Sequence, residues 1–153
     1  MQKFKPAKGQ TDYTNITWAP VINCVLEFQG KILIVQRNKN LNFYPNYYNG
    51  ISGFLDDNKT LKEKVKKEIQ EELGLKASEI KSISLGNIFH KEAPKYNKIW
   101  IVHPVLVRVN TDKIKLDWEA QGFKWIDIDE APKYRLLPGF SQVLKEVKKI
   151  SKI

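Results

Sequence analysis

Three glutamates lie within five positions of a lysine-rich segment, Lys66–Leu75 (KKEIQEELGL). Carboxylate oxygens are the ligands that Mg²⁺ and other hard divalent cations prefer, and such ions are commonly held by one or two carboxylates together with water and substrate phosphates. A carboxylate beside a bound ion can also accept a proton from water. The types and spacing of Glu68, Glu71 and Glu72 therefore indicate divalent-metal chemistry as a candidate function.

The surrounding sequence predicts that these glutamates lie on a helix from Thr60 to Leu73. Each helical residue advances by about 100°, so apolar residues four positions apart form one buried stripe: Leu61, Val65, Ile69 and Leu73. Thr60 is expected to cap the helix with Glu63 in a capping box, and Gly74 to end it.

Glu72 falls inside the apolar stripe, Glu68 lies just outside its edge, and Glu71 lies further round. A carboxylate on the buried face is costly unless its charge is compensated, and Glu68 and Glu72 repel each other. A divalent cation would compensate both. The alternative is an ordinary salt-bridged face, with Lys64–Glu68 and Lys67–Glu71 as pairs, and the spacing taken alone favours it.

The rest of the chain predicts a layered α/β domain. A hairpin is expected around Gln29-Gly30, a polar loop from Asn38 to Gly50, and a final amphipathic helix from Pro138. The predicted strands are Val21–Phe28, Lys31–Arg37, Ile51–Leu55, Ser82–Phe89, Lys98–Val109 and the segment QGFKWIDI, with HKEAPKYN as a loop.

Composition places limits on the class of protein. The 153 residues fit one compact domain, and 42% hydrophobic and 28% charged residues argue against global disorder. The net charge of +9 comes almost entirely from dispersed lysines. We therefore favour a solvated lysine surface over an RNA partner, which stays possible. No apolar run spans a membrane, the start lacks a secretory signal and Cys24 has no disulfide partner, so we expect a cytoplasmic protein.

The segment Gly53–Leu75 (GFLDDNKTLKEKVKKEIQEELGL) resembles the signature of the Nudix hydrolase superfamily, G-x5-E-x7-R-E-U-x-E-E-x-G-U, where U is a bulky aliphatic residue. Two positions depart, because Lys59 replaces the first glutamate and Lys67 replaces the arginine. The matching positions are Gly53, Glu68, Ile69, Glu71, Glu72, Gly74 and Leu75. Three further segments also resemble segments of the family: KILIVQR, YPNYYNGISG and EAQGFKWIDIDE. The resemblance therefore extends from about Val21 to Glu130.

This resemblance implies that residues 1–153 form one Nudix domain, with a mixed β-sheet between helical layers. It also implies an enzyme that acts on phosphoric anhydride bonds with Mg²⁺ or Mn²⁺. Family members typically hydrolyse a nucleoside diphosphate linked to another moiety, by attack of water on a pyrophosphate phosphorus. The implied partner is a small nucleotide derivative, and a homodimer is compatible with the sequence.

Carried over by position, Glu68 and Glu72 are the leading metal ligands. Glu71 is a third ligand with a catalytic role. The backbone carbonyl of Ser52 is a further ligand, since the signature glycine, Gly53, is expected to let the chain turn close to the ion. Glu119, from a later loop, is a candidate general base or additional ligand.

Substrate contacts are predicted at Arg37, Tyr48, Lys59 and Trp100. Arg37 could bind phosphate, although a surface ion pair is equally ordinary. Aromatic residues such as Tyr48 and Trp100 could stack on a base, although for any single one core packing is the commoner role. Lys59 could contact phosphate or lie in solvent.

Histidine and cysteine offer little to catalysis in this sequence. His90 and His103 are expected on neighbouring strands in structural roles, and Cys24 as a small buried hydrophobe. Two other functions stay open. One is a non-catalytic nucleotide- or RNA-binding module, which the altered signature favours. The other is an isomerase like the isopentenyl diphosphate isomerases, which rely on a reactive cysteine.

Overall fold

The computed structural model describes residues 6–151, so the first residues of the predicted domain lie outside the described part of the chain. In chain order the elements are β1 (Trp18–Phe28), β2 (Lys31–Arg37), β3 (Tyr48–Asn49), β4 (Ile51–Phe54), α1 (Leu61–Leu73), β5 (Ile80–Leu85), β6 (Phe89–Ala93), β7 (Lys98–Val109), β8 (Ala120–Ile126) and α2 (Phe140–Ser151). Short 3-10 helices lie at Ala77–Glu79, Pro94–Tyr96 and Ile128–Lys133. Of the helices in this part of the chain, none combines the length and the apolar character that crossing a membrane requires.

The sheet is mixed and is built around the long strands β1 and β7. The two run parallel, from Trp18 opposite Ile99 to Glu27 opposite Arg108. β1 also pairs antiparallel with β2 and β4, β2 pairs with β3 and β8, and β7 pairs with β5 and β6. The turn between β1 and β2 has positive φ at both central residues, 50° at Gln29 and 82° at Gly30, which suits the twist of a two-residue hairpin.

Each face of the sheet is covered by one helix, because alternate residues of β1 point to opposite sides. Ile22, Cys24 and Leu26 join a buried cluster with the apolar stripe of α1. Ala19 and Val25 join a second cluster with the buried face of α2. The predicted arrangement, a mixed sheet between helices, is confirmed.

One stretch differs from the prediction. The segment HKEAPKYN does not form a loop throughout, because His90–Ala93 continue β6 and pair antiparallel with β7. The predicted strand Ser82–Phe89 is instead divided: β5 ends at Leu85 and β6 begins at Phe89. The two short strands pair with different halves of β7, and at the break Gly86 donates its N–H to the carbonyl of Pro104 at 2.9 Å.

Candidate active site

The helix that carries the glutamates has the predicted limits. The Thr60 hydroxyl accepts the N–H of Glu63 at 3.2 Å, and the Glu63 carboxylate accepts the N–H of Thr60 at 3.3 Å, which completes the capping box. At the other end Gly74 adopts a left-handed conformation with φ 68° and donates its N–H to Gln70. These caps satisfy backbone groups that the helix leaves unpaired at its ends.

Three carboxylates meet beside the buried face of α1: Glu68, Glu72 and Glu119. Oε2 of Glu72 is buried and has no hydrogen-bond partner among the residues that the structure describes. Burial raises the pKa of Glu72 well above its ordinary value, and the adjacent carboxylates of Glu119 and Glu68 raise it further. Burial also raises the pKa of Glu68. The group is electrostatically unfavourable as long as no cation lies beside Glu72.

The loop before β8 brings Glu119 to the helix through main-chain hydrogen bonds. The N–H of Lys115 donates to the carbonyl of Leu73 at 3.0 Å, and the N–H of Asp117 donates to the carbonyl of Glu72 at 3.2 Å. These carbonyls belong to the last turn of α1, where no later helical N–H reaches them. The side chain of Asp117 then accepts the N–H of Glu119 at 3.0 Å, so the orientation of this loop depends on α1.

Gly53 is required for space and not for a turn. The φ angle of Gly53 is not positive, so this residue does not form the turn that we expected there. A Cβ at Gly53 would lie 2.8 Å from Cδ and 3.1 Å from Oε1 of Glu68. Only glycine therefore allows the Glu68 carboxylate to pack directly against the main chain of β4.

A cavity of about 500 Å³ adjoins the carboxylates. Most of the predicted site residues border it: Arg37, Ser52, Glu68, Glu71, Glu72, Trp100 and Glu119. The wall away from the acids is largely aromatic and includes Phe43, Tyr44 and Phe54. The cavity thus combines an acidic end with an apolar compartment.

Arg37 and Trp100 are fixed differently within this wall. The guanidinium of Arg37 donates to the carbonyl of Phe43 at 3.0 Å and makes no ion pair with any residue in the described range 6–151, so the surface ion pair is not seen. Burial lowers the pKa of Arg37 despite the nearby carboxylates of Glu119 and Glu72. Trp100 is buried and donates its indole N–H to the Tyr44 hydroxyl at 3.1 Å.

Tyr48 and Lys59, two of the predicted substrate contacts, do not border the cavity. The ring of Tyr48 packs edge-on against Tyr134, with centroids 5.2 Å apart. The segment after β8 forms main-chain hydrogen bonds with β3 and so brings Tyr134 beside Tyr48. Lys59 lies in the loop before α1, where its ammonium is 3.5 Å from Asp57 and its side chain is 41% exposed. Substrate contact by either residue therefore stays a prediction.

Sequence reasoning assigned no role to Asp56 or Trp118 and considered Lys64 only as an ion-pair partner of Glu68. Lys64 is buried, and its ammonium lies 2.8 Å from Asp56, which is buried as well. Its position four residues before Glu68 was the available signal, since it places both side chains on one border of the helix. Trp118 is 55% exposed although it borders the cavity next to Glu119. The only sequence signal for a functional role of Trp118 was a large apolar ring within a polar loop.

Both ion pairs of the salt-bridged alternative are present. Lys64 lies 3.6 Å from Glu68, and Lys67 lies 3.9 Å from Glu71. Neither pair reaches the buried oxygen of Glu72, so salt bridges compensate only part of the acidic group. Within residues 6–151, no three His, Cys, Asp or Glu side chains are already arranged as a metal site. The unpartnered Glu72 oxygen and the all-carboxylate donor set nevertheless fit a hard divalent cation.

The two histidines and the cysteine lie where the sequence predicts. His90 and His103 are on the paired strands β6 and β7; Nδ1 of His103 lies 3.1 Å from the Val21 carbonyl, and His90 packs edge-on against Trp18. Cys24 is fully buried, and burial, with the nearby glutamates, raises the pKa of its thiol.

Comparison with known proteins decides the family. The NUDIX domain profile matches residues 17–147, which is most of the chain. The chain belongs to the Nudix family. The predicted enzyme class, a Nudix-type hydrolase acting on phosphoric anhydride bonds, is confirmed at that level. No curated protein matches the sequence significantly.

Solved Nudix structures share the fold at low sequence identity. A Nudix hydrolase from Nitrosomonas europaea has a TM-score of 0.70 at 18% identity, covering 86% of this chain and 88% of its own. A C. elegans Ap4A hydrolase in a binary complex has a TM-score of 0.65 at 18% identity, covering 88% and 97%. The Nudix domain of Shewanella oneidensis NrtR, complexed with ADP ribose, has a TM-score of 0.68 at 13% identity, covering 88% of each chain.

Proposed function

We propose that this Nudix protein is a divalent-metal-dependent pyrophosphohydrolase that cleaves a nucleoside diphosphate linked to another moiety. The observation that supports it most is the buried oxygen of Glu72, which lies among carboxylates at one end of a cavity and lacks a partner among residues 6–151. Burial, and then repulsion from Glu119 and Glu68, raises the pKa of Glu72, and a bound divalent cation would remove the repulsion.

The roles of the acidic residues follow from their positions. Glu68, Glu72 and Glu71, with the carbonyl of Ser52, would hold Mg²⁺ or Mn²⁺. When bound, the ion would offset phosphate charge and lower the pKa of a water ligand. Glu119 is the candidate general base, because the loop that carries it ends beside Glu72. Glu71, which is more exposed at the cavity border, is the second candidate for proton transfer.

The remaining cavity wall is suited to a nucleotide derivative. Arg37 has a guanidinium without a carboxylate partner in the described chain and is placed to bind phosphate oxygens. Phe43, Trp100 and the exposed ring of Trp118 offer surfaces for a base or sugar. A volume of about 500 Å³ lies within the usual range of small-molecule sites. Two structural neighbours, an Ap4A hydrolase and an ADP-ribose complex, support this class.

A nucleotide-binding module without turnover is the second candidate, favoured by Lys59 and Lys67 in place of the signature glutamate and arginine. The isomerase is disfavoured, because a fully buried Cys24 is not available as a reactive thiol. An RNA partner, a homodimer and a cytoplasmic location stay predictions.

A panel of nucleoside diphosphate derivatives tests the proposal. Each compound is incubated with the protein in Mg²⁺, Mn²⁺ or EDTA, and the products are separated by chromatography. We expect cleavage of at least one compound at its pyrophosphate, with either metal and not in EDTA. Tight binding of a compound without cleavage would support the binding module instead. Cleavage that persists in EDTA would contradict the metal dependence.

A further inference from the structure

Lys64 is a buried cation at the centre of an acidic group. Its side chain is 3% exposed, and its ammonium lies 2.8 Å from Oδ1 of Asp56, whose side chain is 6% exposed. The same ammonium lies 3.5 Å from Asp57 and 3.6 Å from Oε1 of Glu68. Lysine is rarely buried to this extent unless it is paired, and here the pairing reaches a candidate metal ligand.

The carboxylate of Glu68 is confined from two sides. On one side the main chain of β4 lies close to it, since a Cβ added at Gly53 would be only 2.8 Å from Cδ of Glu68, and this backbone limits movement in that direction. On the other side the ammonium of Lys64 attracts Oε1. A glutamate side chain that is already confined loses less rotamer entropy when it binds an ion.

Lys64 is itself held in place from outside the helix. Oδ2 of Asp56 accepts a hydrogen bond from Gln10 Nε2 at 2.8 Å, and the main-chain carbonyl of Asp56 accepts the N–H of Thr11 at 2.6 Å. Asp56 is therefore tied to the segment before β1. This anchor holds the ammonium of Lys64 in place beside Glu68.

Lys67, at the arginine position of the signature, does not provide this support. Its ammonium lies 3.9 Å from Glu71, and its side chain is 37% exposed. The pair lies at the open border of the cavity, and ion pairs exposed to this extent contribute little. The cation that reaches Glu68 comes from a position that the signature leaves unspecified.

We propose that Lys64, anchored by Asp56, is the residue that positions Glu68 for divalent-metal binding in this chain. This inference rests on the proposed function for the meaning of the metal site. Lys64 acts through its contact with Glu68 and is a positioning residue.

The test uses a charge-neutral pair of substitutions, Lys64→Met with Asp56→Asn. Lys64→Met alone would leave a buried, uncompensated Asp56 and is expected to unfold the protein, whereas the pair removes one charge of each sign. Mn²⁺ affinity is measured from the electron paramagnetic resonance signal of free Mn²⁺, and folding from thermal unfolding in EDTA. We expect a folded protein that binds Mn²⁺ at least fivefold more weakly than the wild type. With a cleavable nucleotide, kcat should fall at least tenfold and KM should change less than twofold.

Three further variants separate positioning from general charge and stability. Lys66→Met removes an exposed lysine from the same helix and should change neither Mn²⁺ affinity nor kcat. Lys67→Met should weaken Mn²⁺ binding less than the pair does. Lys64→Gln keeps a donor for Asp56 and is the variant to use if the pair does not fold. Removing a positive charge would by itself strengthen cation binding, so weaker binding in Lys64→Gln supports positioning directly.

The outcomes distinguish this inference from the proposed function. If the pair, or Lys64→Gln in its place, binds Mn²⁺ as tightly as the wild type, Lys64 is only the counterion of Asp56 and the inference is overturned. A larger loss of affinity in Lys67→Met than in the pair overturns it too. A wild type that binds Mn²⁺ but cleaves no nucleotide would refute the proposed function while the Mn²⁺ comparison still decides the role of Lys64. A wild type that binds no Mn²⁺ overturns both.

Discussion

At the scale of single residues, Glu72 is the side chain on which metal binding most depends. Its buried Oε2 has no partner in residues 6–151, and the carboxylates of Glu119 and Glu68 lie beside it. An arrangement of this kind costs stability and is understandable if a cation compensates it.

Glu72→Gln should therefore separate stability from activity. A neutral amide keeps the shape of the side chain but removes one charge from the cluster, so Mn²⁺ binding should weaken and kcat should fall by roughly two orders of magnitude. The same change should raise the melting temperature of the metal-free protein at neutral pH by about 2–4 °C, corresponding to about 1 kcal/mol. Calorimetry in EDTA and initial rates in Mg²⁺ measure both effects.

Glu92→Gln, at an exposed position of β6, is the matched control and should change neither property. Wild-type turnover together with wild-type Mn²⁺ affinity in Glu72→Gln would refute the assignment of Glu72.

Lys59→Glu restores the missing signature glutamate. Because Lys59 is exposed, pairs with Asp57 and lies outside the cavity, we expect a change of at most about 1 kcal/mol, or fivefold, in Mg²⁺ affinity and in KM. Titration of Mg²⁺ with and without substrate measures both quantities. Tighter Mg²⁺ binding by more than tenfold would show that position 59 reaches the ion, and a comparable rise in KM would show that Lys59 holds phosphate.

The sequence could predict the site residues whose role follows from their position on a single helix. The buried stripe of α1 located Glu68 and Glu72 at the border of the core. The partnership of Lys64 with Asp56 could not be predicted in the same way, because it depends on how the loop before α1 folds back and on an anchor from Gln10.

At the scale of elements, the site depends on the two ends of α1. The first turn is fixed by the capping box, and the last turn offers its free carbonyls to the loop that carries Glu119.

Thr60→Ala tests the first of these ends. Losing the hydroxyl that accepts the N–H of Glu63 should cost about 1 kcal/mol and lower the melting temperature by about 2–4 °C. Thr11→Ala, at an exposed position before β1, is the control and should have a smaller effect. Equal melting temperatures for Thr60→Ala and the wild type would contradict the role of the cap.

Local signals explain which elements the sequence predicts well. The caps of α1 and the Gln29-Gly30 turn depend on nearby residues and lie where predicted. The division between β5 and β6 was missed because it depends on which half of β7 each strand pairs with. The approach of the 111–119 loop to α1 depends on main-chain hydrogen bonds, which side-chain patterns do not record.

At the scale of the whole molecule, the fold places the acidic group at one end of a cavity over the sheet. α1 and the loop before β8 supply its carboxylates, and the aromatic wall and α2 line the other part. The electrostatic cost of this arrangement should appear in the pH dependence of global stability.

Metal-free stability should fall as the pH rises above about 4.5, the ordinary pKa of glutamate. The pKa values of Glu68 and Glu72 are raised by burial, so the folded protein keeps protons that the unfolded chain has released. Their contribution is present at low pH and is lost as the pH passes through the folded-state values. Urea unfolding between pH 5 and 8 in EDTA measures the slope, which Mg²⁺ and Glu72→Gln should each reduce. The same slope in Glu72→Gln and the wild type would contradict the assignment.

In the proposed reaction, water attacks a pyrophosphate phosphorus with the help of a divalent ion at this cluster. Cleavage of the best nucleotide substrate in ¹⁸O-enriched water, followed by mass spectrometry of both products, tests it most directly. We predict one ¹⁸O atom in a phosphate group of one product when Mg²⁺ is present. Almost no product should form in EDTA or with Glu72→Gln. Products without ¹⁸O in phosphate, or labelled products formed equally well by Glu72→Gln, would contradict the account.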